Sequence, residues 1–121
     1  MRTIVIYNQF DVVIVPFPFT DQNNLKRRPA LVISCASFNQ QVQHAVMLMI
    51  TSARNAPWSG DVNIEDLQAT GLEKPSVIRM KFFTLDNRLI LRKSGLLGLQ
   101  DRQALVKSIN QLMNVKVFEL E

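Results

Sequence analysis

A chain of 121 residues, 47% of them apolar and 20% charged, has the length and hydrophobicity of one folded domain rather than of a disordered segment. One cysteine and one histidine exclude an internal disulfide and any cluster with zinc-ligand spacing. Fourteen Lys and Arg against ten Asp and Glu, a formal net charge of +4, favour a polyanionic partner, while no apolar run approaches the ~20 residues of a membrane span. A single cytoplasmic domain over residues 1–121, with no membrane association, is the expectation.

Residues 11–19, "DVVIVPFPF", are β-branched and aromatic, as a strand with a buried face requires. Pro16 and Pro18 lie two apart, so their missing N–H groups fall on one side, and that half of the strand belongs at an edge or at its exit from the sheet. "TDQNN", residues 20–24, is rich in turn formers. The second strand is "PALVIS", residues 29–34, continuously apolar and hence buried on both faces; the following proline holds Arg28 extended at its entry.

"FNQQVQH" reads as a polar connection. "AVMLMITS", residues 45–52, reads as a third strand with Met47, Met49 and Thr51 on one face. After the loop "ARNAPWSGD", a short strand is expected at "VNIE" and a turn region at "DLQATGLEKP". "SVIRMKFFTLD" and "NRLILRKSG" follow as two more strands joined near Asp86 and Asn87. Only "LQDRQALVKSINQLM" takes the three-and-four spacing of an amphipathic helix, with Leu105, Ile109 and Leu112 on one face, started by Gly98 and Asp101.

Five or six strands with no crossover helix between them give a mainly β fold: a small antiparallel barrel or strongly curved sheet, covered by one C-terminal helix.

The densest charge cluster is Lys26, Arg27 and Arg28. On charge alone it is a solvated loop. Position singles out Arg28, whose Cα is held by the sheet while its guanidinium, a planar fork of donors, suits phosphate oxygens. Thr51 and Ser52 end a strand, where hydroxyls commonly satisfy backbone groups or, beside Arg28, donate to the same phosphate. Arg79 and Lys81 share one strand face near Trp58 and Phe83, the pattern either of a hydrated outer face or of a surface for single-stranded nucleic acid. Cys35 and His44 lack an orienting partner, so Cys35 is expected as a small buried hydrophobe and His44 at the surface. No glycine-rich nucleotide loop or paired-carboxylate arrangement is present.

"DVVIVPFPFTD" followed by "KRRPALVIS", then "MITS", "SVIRMKFFTLDNRL" and "LRKSGLL", resembles the MazF/PemK (Kid) toxins of type II toxin–antitoxin modules, in order from about Asp11 to the C-terminal helix. The resemblance implies an SH3-like barrel of the CcdB/Kid/MazF type, homodimeric, acting as a metal-free, cofactor-free and sequence-selective endoribonuclease on single-stranded RNA. It also implies neutralisation by a cognate acidic antitoxin. Arg28 falls on the arginine that acts in catalysis and Thr51 on the hydroxyl residue that assists it. Thr20, Asp21, Lys26, Arg27, Ser52, Arg79 and Lys81 are the expected RNA-binding residues around them.

Where many relatives carry Asp or Glu followed by Gln, this chain has Lys81 and Phe82. Transesterification through the 2′-hydroxyl needs a proton acceptor, and a guanidinium has donors only. Asp21, a rearranged arginine or the substrate itself are the candidates for that role. Two alternatives therefore stand beside the nuclease: a catalytically weak or silent RNA- or antitoxin-binding module of the same fold, and a gyrase-targeting toxin of the CcdB type, since one fold hosts several functions.

Overall fold

The computed structural model describes residues 5–17 and 26–117; the expected turn at 20–24, with Thr20 and Asp21, lies outside them. Six strands, β1 (Asp11–Phe17), β2 (Lys26–Val32), β3 (His44–Ser52), β4 (Val62–Asn63), β5 (Ser76–Asp86) and β6 (Arg92–Leu96), form one curled antiparallel sheet in the order β4-β5-β3-β2-β1-β6. Three helices, α1 (Ala36–Val42), α2 (Leu67–Thr70) and α3 (Leu99–Met113), complete it. No helix among the described residues is long and apolar enough to cross a membrane.

Each strand of the sheet's centre contributes to two cores, one per face. Val13, Val15, Ala30, Val32 and Met47 gather with Tyr7, Leu85 and Ile90 on one side. Val12, Leu31, Leu48, Ile50 and Ile78 gather on the other, beneath Leu105 of α3. Ala30, Leu31 and Val32 are fully buried, as a two-sided strand between β1 and β3 must be. The α3 helix matches its expected span, and Pro16 behaves as its chemistry dictates: β6 accompanies β1 only from Asp11 to Ile14, leaving Pro16 paired on one side, to Arg27 of β2; Pro18 lies outside the described residues.

The structure corrects four expectations. The polar connection after β2 is helix α1, built around Asn39, which is fully buried. Its Nδ2 donates to the Tyr7 and Ser34 carbonyls at 2.9 and 3.2 Å, its Oδ1 accepts from Ser34 Oγ, and its own carbonyl accepts from Asn87 Nδ2 at 2.9 Å. Hydrogen bonds rather than an apolar stripe hold this helix, so hydrophobic periodicity gives no sign of it.

Within the expected turn "DLQATG", Asp66 accepts from the Ala69 N–H at 3.2 Å and Gly71, at φ 73°, closes a single helical turn, α2. "NRLILRKSG" opens as a 3-10 turn over Asn87–Leu89, because the Asp86 carboxylate accepts from the Arg88 N–H at 2.9 Å; the strand begins only at Arg92. Cys35 is exposed, not buried, since it precedes α1 with its thiol turned to Ser37 Oγ, 3.3 Å away.

The open end of the sheet is closed by α2 and the N-terminus of α3. Ser94 Oγ of β6 donates to the Thr70 carbonyl at 2.9 Å, and a Cβ at Gly95 would lie 2.3 Å from the Ala69 oxygen, so only glycine permits this approach. Asp101, 1% exposed, accepts from the N–H groups of Glu65 and Asp66 at 3.1 and 3.0 Å, tying α3 to the chain between β4 and α2.

Candidate functional site

The site originates where the sheet divides. Pairing between β2 and β3 ends at Ala30↔Met49, although both strands run on. Beyond it β2 stays with β1 as far as Phe17↔Lys26, and β3 stays with β5 as far as Ser52↔Ser76. The two strand pairs part like the arms of a V. Continued two residues outward, the register would set Arg28 opposite Thr51; instead they line the two sides of a groove of about 810 Å³. Strand alternation carries Arg28 on from Ala30 and Val32, and Thr51 on from Met47 and Met49, so both belong to one face of the sheet.

The groove is lined by five cations, Arg28, Lys74, Arg79, Lys81 and Arg92, and by one carboxylate among the described residues, Glu73. Cationic lining in a concave, partly apolar cleft suits a polyanion. Phe82, Phe83, Met49 and Ile50 supply the apolar wall.

The two strand-end hydroxyls have defined partners. Thr51 Oγ1 accepts a hydrogen bond from Asn55 Nδ2 at 2.6 Å, and Ser52 Oγ accepts from the Arg54 N–H at 3.2 Å. An amide nitrogen donates only, so each hydroxyl keeps its hydrogen for another acceptor.

Arg79 is differently engaged. Its Nε and one terminal nitrogen grip both Asp61 oxygens at 3.1 and 2.9 Å, the latter nitrogen also reaching the Ala56 carbonyl at 2.8 Å. The guanidinium beside it, with the Trp58 N–H at 2.9 Å, holds the Asp61 carboxyl below the usual carboxylate range, and the pair raises Arg79 in turn. With both oxygens occupied, Asp61 is a structural anion for the loop between β3 and β4.

Above this pair lies Trp58, with the Arg79 guanidinium 4.9 Å and the Lys81 ammonium 5.4 Å from its ring centre. The pairing of β5 with β3 jumps from Leu48↔Phe82 to Met49↔Arg79. Met80 and Lys81 are thus extra, and because two residues are inserted rather than one, the alternation of faces survives. Met80 and Phe82 pack on the second core while Arg79 and Lys81 stay beneath the indole.

Of the residues singled out from sequence, Arg28, Thr51, Ser52, Arg79 and Lys81 line one groove. Lys26 and Arg27 sit exposed at the outer end of β2, beside it; Thr20 and Asp21 lie outside the described residues. Sequence reasoning did not find Asn55, Glu73, Lys74 or Arg92. The first three lie in segments read only as loops, and the fourth enters through pairing of β6 with β1, a long-range contact without local signal. Among the described residues no group of three His, Cys, Asp or Glu side chains is placed to hold a metal ion.

A curled antiparallel sheet with a terminal helix and a basic cleft at the mouth of β2 and β3 defines a small half-barrel of the kind that binds a ligand at its open edge. Residues 8–113 match the model of the PemK-like, MazF-like toxins of type II toxin–antitoxin systems, and the chain belongs to that family. Among solved structures it is similar to the Mycobacterium tuberculosis toxin MazF-mt6, with 18% identity and a TM-score of 0.70 over 88% of this chain and 99% of that one. A MazE-MazF complex from Deinococcus radiodurans gives 20% identity and a TM-score of 0.75 over 93% and 100% of the two chains. A mycobacterial endoribonuclease in complex with its cognate antitoxin gives 13% and 0.73 over 92% and 98%. No curated protein matches the sequence.

Proposed function

We propose that this toxin is an endoribonuclease that cuts single-stranded RNA by attack of a 2′-hydroxyl on the adjoining phosphate, leaving a 2′,3′-cyclic phosphate and a 5′-hydroxyl. The observation that carries the reading is the V-shaped parting of β2 and β3, with Arg28 and Thr51 on opposite sides of one cationic groove. A phosphate bridging them meets a guanidinium fork on one side and a free O–H on the other, donors aimed where charge develops in the phosphorane. The 2′-hydroxyl proton goes to Glu73, the carboxylate lining the groove; as the bond from the 2′-oxygen to phosphorus forms, the bond to the 5′-oxygen breaks, and that oxygen takes a proton from water in the open groove. Lys26, Arg27, Ser52, Lys81 and Arg92 draw in the RNA backbone, a contribution that weakens with salt; Thr20 and Asp21, outside the described residues, are proposed as further RNA-binding residues.

Related toxins are solved with antitoxins, which supports an acidic antitoxin as partner of this chain, complementary to its basic groove. The working form is a cytoplasmic homodimer.

Incubation with a long RNA in EDTA, followed by sequencing of the ends, tests the reading: cuts at defined sequences with 5′-hydroxyl termini are expected. Arg28→Ala abolishes them while leaving the circular dichroism spectrum intact, and undiminished cutting by that folded variant removes Arg28 from the site. Glu73→Gln slows cleavage by about 10²-fold or more, the usual worth of a general base.

The engagement of Arg79 by Asp61 favours a second reading, a module that holds RNA or antitoxin without cutting. Binding without new ends in the same incubation would establish it.

A further inference from the structure

Trp58 is the chain's one tryptophan, and it stands 47% exposed beside Arg79 and Lys81, two residues of the groove's lining. The loop that carries the indole is held through its backbone. The Trp58 main-chain N–H donates to Asp61 Oδ2 at 2.9 Å and the Asp61 N–H to the Trp58 carbonyl at 3.2 Å. Asp61 is gripped by Arg79, and Gly60, at φ 89°, accepts from Ser108 Oγ of α3 at 2.7 Å.

Arg79 and Lys81 lie two apart on β5 and so on one face of the sheet. Both cations lie over the ring, at 4.9 and 5.4 Å, while the residue as a whole stays exposed. A fixed aromatic face beside a cationic channel is what a nucleobase needs: the phosphates follow the cations while the base stacks, with little entropy left to lose.

We infer that Trp58 is a stacking subsite for one base of a single-stranded nucleic acid whose phosphates lie along Lys81 and the groove. The inference rests on the RNA-directed reading of that groove and extends it to the base beside the reacting phosphate. Arg79 then serves as a positioning residue: with Asp61 it holds the platform, and its charge is spent there and on the indole.

A lone tryptophan makes the test direct. The full-length protein is titrated with a short single-stranded oligodeoxynucleotide, which lacks the 2′-hydroxyl and cannot be cut by that route, and with an abasic oligomer of the same length. Binding is followed separately by anisotropy of end-labelled copies. The base-bearing oligomer is expected to quench the indole emission saturably, with the same dissociation constant as the anisotropy, and the abasic oligomer to bind without quenching. Trp58→Ala should weaken binding of the base-bearing oligomer about tenfold or more and leave the abasic one unchanged, and Trp58→Phe should restore part of the loss.

Saturable binding with unchanged tryptophan emission overturns the stacking subsite and leaves the nucleic-acid groove standing. An equal loss on both oligomers in Trp58→Ala also overturns it, by showing that the ring only supports the loop. Absence of binding to either oligomer and to RNA overturns the groove reading and the subsite together.

Discussion

The hydroxyl of Thr51 carries one hydrogen, and its direction is decided by a neighbour. Because Asn55 Nδ2 donates to Thr51 Oγ1 at 2.6 Å, the hydrogen of Thr51 is left to point away, into the groove. Reversing the polarity of that contact without changing its size should show its importance. In Asn55→Asp the new carboxylate accepts from Thr51 and withdraws its hydrogen from any phosphate. On the proposed ribonuclease reading, the turnover rate is expected to fall by about a hundredfold, the scale of one lost transition-state donor, with KM little changed. In a Thr51→Val background the same substitution should cost nothing further, because its whole effect passes through the hydroxyl. Full additivity in that double-mutant cycle would detach Asn55 from Thr51. This contact is illegible in sequence, since Asn55 reads there as a loop former, whereas Arg28 was legible because a proline fixes its backbone at the mouth of a buried strand.

At the scale of elements, the loop between β3 and β4 depends on one ion pair, Asp61 with Arg79, both about nine-tenths buried at the side chain. Hydrogen bonds from Arg79 lower the folded-state pKa of Asp61 beneath its ordinary 3.8. The sign follows from linkage: a depressed acid stabilises the fold fully above its unfolded pKa and loses that contribution as pH falls through the lowered value. Trp58 emission should accordingly be constant from pH 7 to pH 5 and shift only below about pH 4. Asp61→Asn should show the shifted emission at neutral pH. Asp86 is brought down to about 2 by Arg88, but the Arg88 side of that pair lies in solvent, so the pair adds little stability.

The strands and most of α3 were legible because alternation and the three-and-four repeat record which side faces a core; Leu112, expected on the face of Leu105 and Ile109, is exposed instead. Helix α1 was not, because Asn39 anchors it by hydrogen bonds to Tyr7, Ser34 and Asn87 that no local pattern encodes. The groove was half legible for the same reason. Side chains on strands could be assigned to a face, but the ending of β2–β3 pairing at Ala30 is a relation between two strands that neither segment states.

For the molecule as a whole, closure rests on contacts too close for side chains. At Gly95 an added Cβ would lie 2.3 Å from the Ala69 oxygen and 2.6 Å from the Thr70 oxygen, both backbone atoms. Gly95→Ala should therefore force β6 and α2 apart and destabilise the fold by about 1–3 kcal/mol, the usual cost of overpacking. Thermal unfolding measures it, and an unchanged midpoint would mean that the seam is looser than its geometry. Asp101 pins the adjoining corner through Glu65 and Asp66. With each face of the sheet carrying its own core, such a loss is felt by both.

The pairing of β1 with β6, Ile14 against Arg92, also sets a schedule. A ribosome releases β1 early, yet one of that strand's two neighbours is synthesised nearly eighty residues later, and Arg92 and Ser94 of the groove arrive with it. A growing chain thus cannot present the finished cleft, because its first strand waits for its last. If the cleft cuts RNA, the fold itself delays that activity until synthesis is nearly over, which protects the message being read and leaves time for an antitoxin to be at hand.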